Sequence, residues 1–482
     1  MNKKPKTSHA STTSAITPPL HSTPSSVNVE HTSCSERGAK KSKLKLTARI
    51  GQLFKGRKDK EKKKKESRES RQKSGGLPRK TASKSNLHVV QPAFAEVSEK
   101  TCKSYRKTKE PKKPAPRAST KPKICSPTSP HNHPVQKELP EKPYEYRPPP
   151  ISVEKVEKSL QNLLEQIQPK CVQKLEEQWD YIDEDVEFKD EEIAAFLDHG
   201  EEYNQAEEVE CPEVNRVKLE KNETRTDDYI HASYVEIKEI PRKFVLAQLP
   251  TTNSKRLEDF WAMVYQEKLH NIYMICSPEE SSKPNDKFSE YFPINNGHHE
   301  HYEQIWVHNR KVEMGTDSND ANDSYIIEVL PNGCAESILV TLQMLNYWPM
   351  SNIGSKTKKI LASASNVFGV ADAYEGDPVG IISKQGAGRT GTYLAIVCAI
   401  QLMKNGQNFD MKGLCKSIRR QRPGGIDQYC QFVFIYSMVF QFASQHVTNK
   451  ELKANLEKAS QNLQIILSKR NNEEEKTAKT MD

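Results

Sequence analysis

Residues 378–404 read PVGIISKQGAGRTGTYLAIVCAIQLMK. Val379–Ile382 is a short apolar, β-branched run, the mark of a buried strand. GAGRTG at 386–391 is a glycine-rich turn, and after it Tyr393, Ile396, Val397 and Ile400 recur at helical spacing. The order is strand, tight loop, helix. Such a loop points successive backbone N–H groups into one concavity at the positive end of a helix. That is an anion site, with phosphate as the usual guest. Arg389 lies inside the loop, where its planar fork matches two phosphate oxygens.

Outward from the loop, several other strings stand in order along the chain. They are EVECPEVNRVKL at 208–219, DYIHASYV at 228–235, FVLAQLP at 244–250, LEDFWAMVYQEK at 257–268, YFP at 291–293 and RPGGIDQYCQFVFIY at 422–436. With the loop, this set resembles the tyrosine-specific protein phosphatases, from about Ser152 to about residue 445. The family's signature loop runs His-Cys-Ser-Ala-Gly-x-Gly-Arg-Thr-Gly. The resemblance implies an α/β fold with a twisted mixed sheet flanked by helices. It also implies that Gly386, Ala387, Gly388, Arg389, Thr390 and Gly391 form a phosphate-binding loop.

The half of the signature that does the chemistry departs from the family. Its histidine position is Ile382, its nucleophile position is Ser383, and Lys384 and Gln385 follow. The family's mechanism needs a thiolate, because the loop's field lowers a cysteine pKa until it ionises near neutrality. A serine hydroxyl starts too high for the same field to ionise it. The resemblance puts the general acid's slot at Met350, after Trp348 and Pro349 of YWPM. A thioether has no proton to give, and such an acid contributes about 10²–10⁴-fold. The ring that would wall the substrate slot falls on Ala206, after Asn204 and Gln205. In the family's glutamine loop the first glutamine is replaced by Asp427, and the second is kept as Gln431.

The bland readings stand beside these. Phe260, Trp261 and the aromatics of 429–436 are core residues whatever the function. The loop glycines also serve a packed turn that binds nothing, and Arg389 also suits an ion pair to the preceding loop. His298, His299 and His301 have no supporting cysteine or carboxylate array and read as a polar surface loop, so no metal and no cofactor is expected. GAGRTG with Asp410 about 20 residues on also fits a dinucleotide fingerprint. However, helices near 411–420 and 428–446 follow it where a second βαβ unit should stand. The Gly-Lys-Ser/Thr of a P-loop NTPase is absent.

Charge divides the chain. Of its 73 basic and 64 acidic residues, 36 and 12 fall in 1–150, leaving 37 against 52 for the remainder. The first 150 residues are rich in Ser, Thr, Pro and Lys and poor in aromatics, so they are expected to be disordered. Within 37–84, 20 residues are basic, and Leu46, Ile50, Leu53 and Phe54 share one helical face. This suits an anionic membrane surface, nuclear localisation or a solvated charge run. Phe54 is the one aromatic within 37–84, too few to interleave the lysines for base stacking, which argues against a nucleic-acid reader. RKTAS at 79–83 suits basophilic kinases, and PKKPAPR at 111–117 and RPPP at 147–150 suit polyproline helices or stiff linker. MNKKPKTSHA lacks the apolar run of a signal peptide, and no segment reaches membrane-spanning length, so a cytoplasmic place is expected. The ten cysteines, with no C-x-x-C pair, read as reduced thiols.

Ordered structure is expected from Ser152, where Val156, Leu160, Leu163, Leu164 and Ile167 form a helical stripe. A second helix is expected around Ile193–Leu197. The domain is expected over 152–446, followed by a charged helical tail over 447–482 that packs on the body or docks a partner. Together these features predict a catalytically inactive phosphatase-like module that binds phosphotyrosine-bearing or other protein partners. The alternatives are a pocket-dead scaffold working through its arm and surface, and a phosphatase with residual activity.

Overall fold

The computed structural model describes residues 150–184, 186–277, 280, 291–316, 321–349, 352–371, 374 and 376–479. The arm up to residue 149, with its expected disorder and amphipathic stretch, and the acid slot Met350 lie outside these residues.

One sheet is built from β1 (Arg216–Lys218), β2 (Tyr229–Glu236), β3 (Lys243–Gln248), β4 (Asn271–Ile275), β5 (His299–Tyr302), β6 (Ile305–Glu313), β7 (Asp323–Pro331), β8 (Ile338–Leu345) and β9 (Val379–Ser383). Its order is β1-β2-β3-β9-β4-β8-β7-β6-β5. The central strands β3, β9, β4 and β8 pair in parallel, and the outer pairs are antiparallel. A parallel centre must be covered on both faces, and β4 and β9 are buried at every position. The period of two then sends neighbouring side chains to opposite cores. Ile381 joins one and Ile382 the other.

The helices are α1 (Val153–Ile167), α2 (Cys171–Asp183), α3 (Ala194–Asp198), α4 (Ser254–Gln266), α5 (Thr357–Ala371), α6 (Gly388–Lys404), α7 (Met411–Gln421), α8 (Tyr429–Ser444) and α9 (Lys450–Lys479). On one face of the sheet α4 packs Phe260, Trp261, Met263 and Val264. Trp261 lies fully inside and donates its indole N–H to the Tyr291 carbonyl at 2.9 Å. Truncating such a ring to alanine costs about 3–5 kcal/mol. On the other face lie α1, α2 and α5 to α9. Helix α6 is buried on all sides from Gly388 to Ile400, as expected of a helix that is apolar all round. That burial fixes the loop in front of it.

The stripe expected in the first helix is buried throughout, and Ser152 caps it by accepting from the Lys155 N–H. For the C-terminal stretch the structure chooses packing on the body: Leu456, Ala459 and Leu463 enter the same core as α6. Glu157 of α1 accepts from the Thr448 and Asn449 N–H groups at 2.8 Å and so ties the start of α9 down.

One expectation is corrected. His299 and His301 do not lie in a loop but in β5, the last strand of the sheet. Pairing with β6 uses only the backbone, as in His299 opposite His308, so polar side chains at a sheet edge can face water. Among the described residues no His, Cys, Asp and Glu group is arranged to hold a metal ion. None of the described helices is long and apolar enough to cross a membrane. After β9 the described chain holds helices only, which removes the dinucleotide alternative.

Candidate functional site

The site forms where β9, at the middle of the sheet, gives way to α6. Strand β9 delivers Ser383 at its last position, and the chain then turns through Lys384, Gln385, Gly386 and Ala387. Gly386 makes the turn possible. Its φ is +64°, and a Cβ there would stand 2.4 Å from the Ala247 carbonyl carbon. The Gly386 N–H donates to both the Ser383 carbonyl and the Ser383 hydroxyl oxygen, each at 3.1 Å. Ser383 is 2% exposed. Among the described residues no side-chain base bonds that hydroxyl. Two cysteines lie close by, but burial raises both the Cys211 and the Cys276 thiol, which makes them poor nucleophiles.

Arg389 stands in the first turn of α6, and it is already partnered. Its Nη1 and Nη2 donate to Glu280 at 2.6 and 2.7 Å, a two-pronged pair, and Nη1 also donates to the Trp348 carbonyl at 3.0 Å. Glu280 is held in turn by the Ser277 N–H at 2.8 Å. Arg389 is therefore ion-paired, but to a residue 109 positions earlier, beyond β4, and not to the loop that precedes it. Trp348 is fully buried and donates its indole N–H to the Asn352 carbonyl.

A second arginine lies behind the loop. Arg422 is wholly buried and donates Nε to the Gly386 carbonyl at 2.7 Å and Nη1 to Ser233 Oγ at 3.1 Å. Its Nη2 lies 3.1 Å from His231 Nδ1, and His231 Nε2 lies 2.9 Å from the Val209 carbonyl. Burial, and after it the Arg422 charge, lowers the His231 pKa. The ring is thus neutral, with Nε2–H donating to Val209 and Nδ1 accepting from Arg422. No carboxylate pairs with Arg422 among the described residues, so its charge remains available to the loop's field.

Ala206 is buried in a small cluster with Val209 and Ala387 of the loop. The register read from the sequence therefore brings position 206 to the loop, with a methyl where a ring would stand. The segment is clamped around it. Tyr229 donates its hydroxyl to Asn204 Oδ1 at 2.6 Å, and Gln248 accepts from the Gln205 N–H at 3.0 Å. Glu208 reaches Gln385 Nε2 at 3.5 Å. At the other side Gln431 is fully buried, and its Oε1 accepts from the Asp427 N–H and the Thr392 hydroxyl at 3.1 Å each.

Asp427 leans over the loop. A Cβ on Gly388 would stand 2.1 Å from Asp427 Oδ1, so the carboxylate fills the space that glycine leaves. Oδ1 is closed to solvent and has no hydrogen-bond partner. Burial raises the pKa of this carboxyl, against the weaker pull of its hydrogen bonds and of Arg419.

Sequence reasoning brought Ser383, the 386–391 loop, Arg389, Ala206, Asp427 and Gln431 to one place, and they lie there. It missed Glu280, Arg422 and His231. Glu280 sits in a polar stretch without periodicity. Arg422 and His231 are 191 positions apart, and only the fold joins them.

The protein-tyrosine phosphatase family profile matches residues 201–441. Two Caenorhabditis elegans proteins that carry the tyrosine-protein phosphatase name are 32% and 25% identical over 282 and 245 residues. Those matches cover 58% and 51% of this chain, and 62% and 58% of the two relatives. Receptor-type tyrosine-protein phosphatase C of Rattus norvegicus is 27% identical over 253 residues, 51% of this chain and 19% of that protein. The profile spans half the chain, takes in the loop, its two arginines and the sheet and ends within α8, and so this chain belongs to the protein-tyrosine phosphatase family.

Proposed function

We propose that this domain is a catalytically inactive member of its family, a module that binds oxyanions or phosphoproteins without hydrolysing them. The observation that carries this reading is Ser383. The residue at the nucleophile position is a buried hydroxyl that accepts from the Gly386 N–H and meets no base among the described residues. Ala206 supports it, because the side chain packed on the loop at that position is a methyl and not a ring. The cradle itself persists. The first N–H groups of α6 lack acceptors within the helix, and the charge of Arg422 lies behind them.

The test is turnover of a phosphotyrosine peptide by the full chain. The expected rate equals that of buffer. A rate well above buffer that disappears in Arg389→Ala would favour the reading with residual activity. A second reading has its own support: the Arg389–Glu280 pair satisfies the loop's arginine from within. On that reading the pocket is dead and the protein works as a scaffold through its surface and basic arm. Binding of the arm to anionic vesicles, lost at high salt, is expected on either reading.

A further inference from the structure

Several charges surround the loop besides any ligand, among them Lys384 within it and Glu208 beside Gln385. Arg389 is neutralised by Glu280 at 2.6 Å. Arg422 contributes a positive charge from behind, through Gly386. Asp427 contributes a carboxylate from the side, with Oδ1 against Gly388 and no partner. Arg419, whose charge also reaches Asp427, is bonded to Asp183 at 3.2 Å and to the Ile426 carbonyl. Gln431 Oε1 meets the Asp427 backbone N–H, not Oδ1. The Gln431 and Gln428 side chains pull on the carboxyl as a whole, but Oδ1, against Gly388, has no hydrogen-bond partner among the described residues.

An acceptor sealed from water needs a donor. A bare dianion offers only oxygens, so it meets Oδ1 with repulsion. Inorganic phosphate carries a P–OH at neutral pH and can donate it. Sulfate carries no proton there, and an aryl phosphate monoester, with a second pKa near 6, has largely lost its own. We propose that this loop selects oxyanions that carry their own proton, with Asp427 as the specificity-determining residue that accepts it. The inference rests on the reading of the loop as an oxyanion site. It narrows that reading to inorganic phosphate and protonated phosphomonoesters over sulfate and the phosphotyrosine dianion.

The experiment is calorimetry at pH 7.5 and matched ionic strength on the full chain, with inorganic phosphate, sulfate and a phosphotyrosine peptide as probes. Wild type is expected to bind phosphate roughly tenfold or more tighter than either of the other two, the range of a hydrogen bond to a charged group. Asp427→Asn supplies an amide donor and removes the charge, so the preference is expected to fall to near unity through a gain for sulfate. Asp427→Gln, with the same amide, provides a second variant. Equal binding of phosphate and sulfate by wild type would overturn the selectivity and leave the oxyanion site standing. Phosphotyrosine bound as tightly as phosphate would overturn it too. No heat from any probe on wild type and both variants, with unchanged circular dichroism, would overturn the selectivity and the oxyanion reading together.

Discussion

Two buried arginines flank one loop, and they do different work. Arg389, which belongs to the motif, is locked in a two-pronged pair with Glu280. Arg422, the first residue of the 422–436 string, holds the loop's own carbonyl and meets no carboxylate among the described residues. A cation already paired at 2.6 Å contributes little net field to a ligand, whereas one satisfied only by dipoles contributes its full charge. The motif identifies the loop, but the electrostatics depend on what each arginine touches.

Removing Arg422 should have the largest effect on the domain. Arg422→Leu leaves the Gly386 carbonyl, Ser233 Oγ and His231 Nδ1 without their donor. Three buried acceptors lost together are expected to destabilise the domain by about 3–5 kcal/mol. Denaturant unfolding measures this, and a loss below about 1 kcal/mol would mean the loop does not depend on Arg422.

Glu280→Gln should sharpen the comparison. It releases Arg389 from its counter-charge while leaving a side chain that still accepts. The expected loss of stability is smaller, about 1–2 kcal/mol, and phosphate affinity is expected to rise about tenfold as the second cation joins the first. Unchanged phosphate affinity would mean the two arginines are not distinguished by pairing.

Asp427→Asn carries the smallest effect and a defined pH dependence. Burial raises this carboxyl's pKa above its ordinary value. The folded state therefore holds the proton more tightly than the unfolded state. The penalty is absent below the unfolded pKa near 3.9 and grows as pH rises through the folded value. At pH 7 the variant should gain about 1 kcal/mol, and the gain should vanish in acid. A gain that persists at pH 3 would assign it to packing instead of charge.

Much of the scaffold was legible because periodicity reports burial. Val379–Ile382 and the spacing from Tyr393 to Ile400 announced β9 and α6. The slots Ser383, Ala206 and Asp427 could be read because each keeps its distance from a motif that folds. Glu280 was not legible, since a lone carboxylate in a polar stretch has no pattern. Nor was the Arg422–His231 contact, which depends on α7 ending beside β2. The edge strand β5 hid behind its histidines, because its pairing is written in the backbone alone.

On the proposed function the loop takes phosphate and does not cleave it. Phosphorus NMR on one sample tests both halves, with the full chain, inorganic phosphate and phenyl phosphate together. The inorganic phosphate resonance is expected to shift or broaden on adding protein, while phenyl phosphate is lost no faster than in buffer. Phenyl phosphate converting to inorganic phosphate faster than in buffer, with the excess lost in Arg389→Ala, would contradict it. So would an inorganic phosphate resonance that the folded protein leaves untouched.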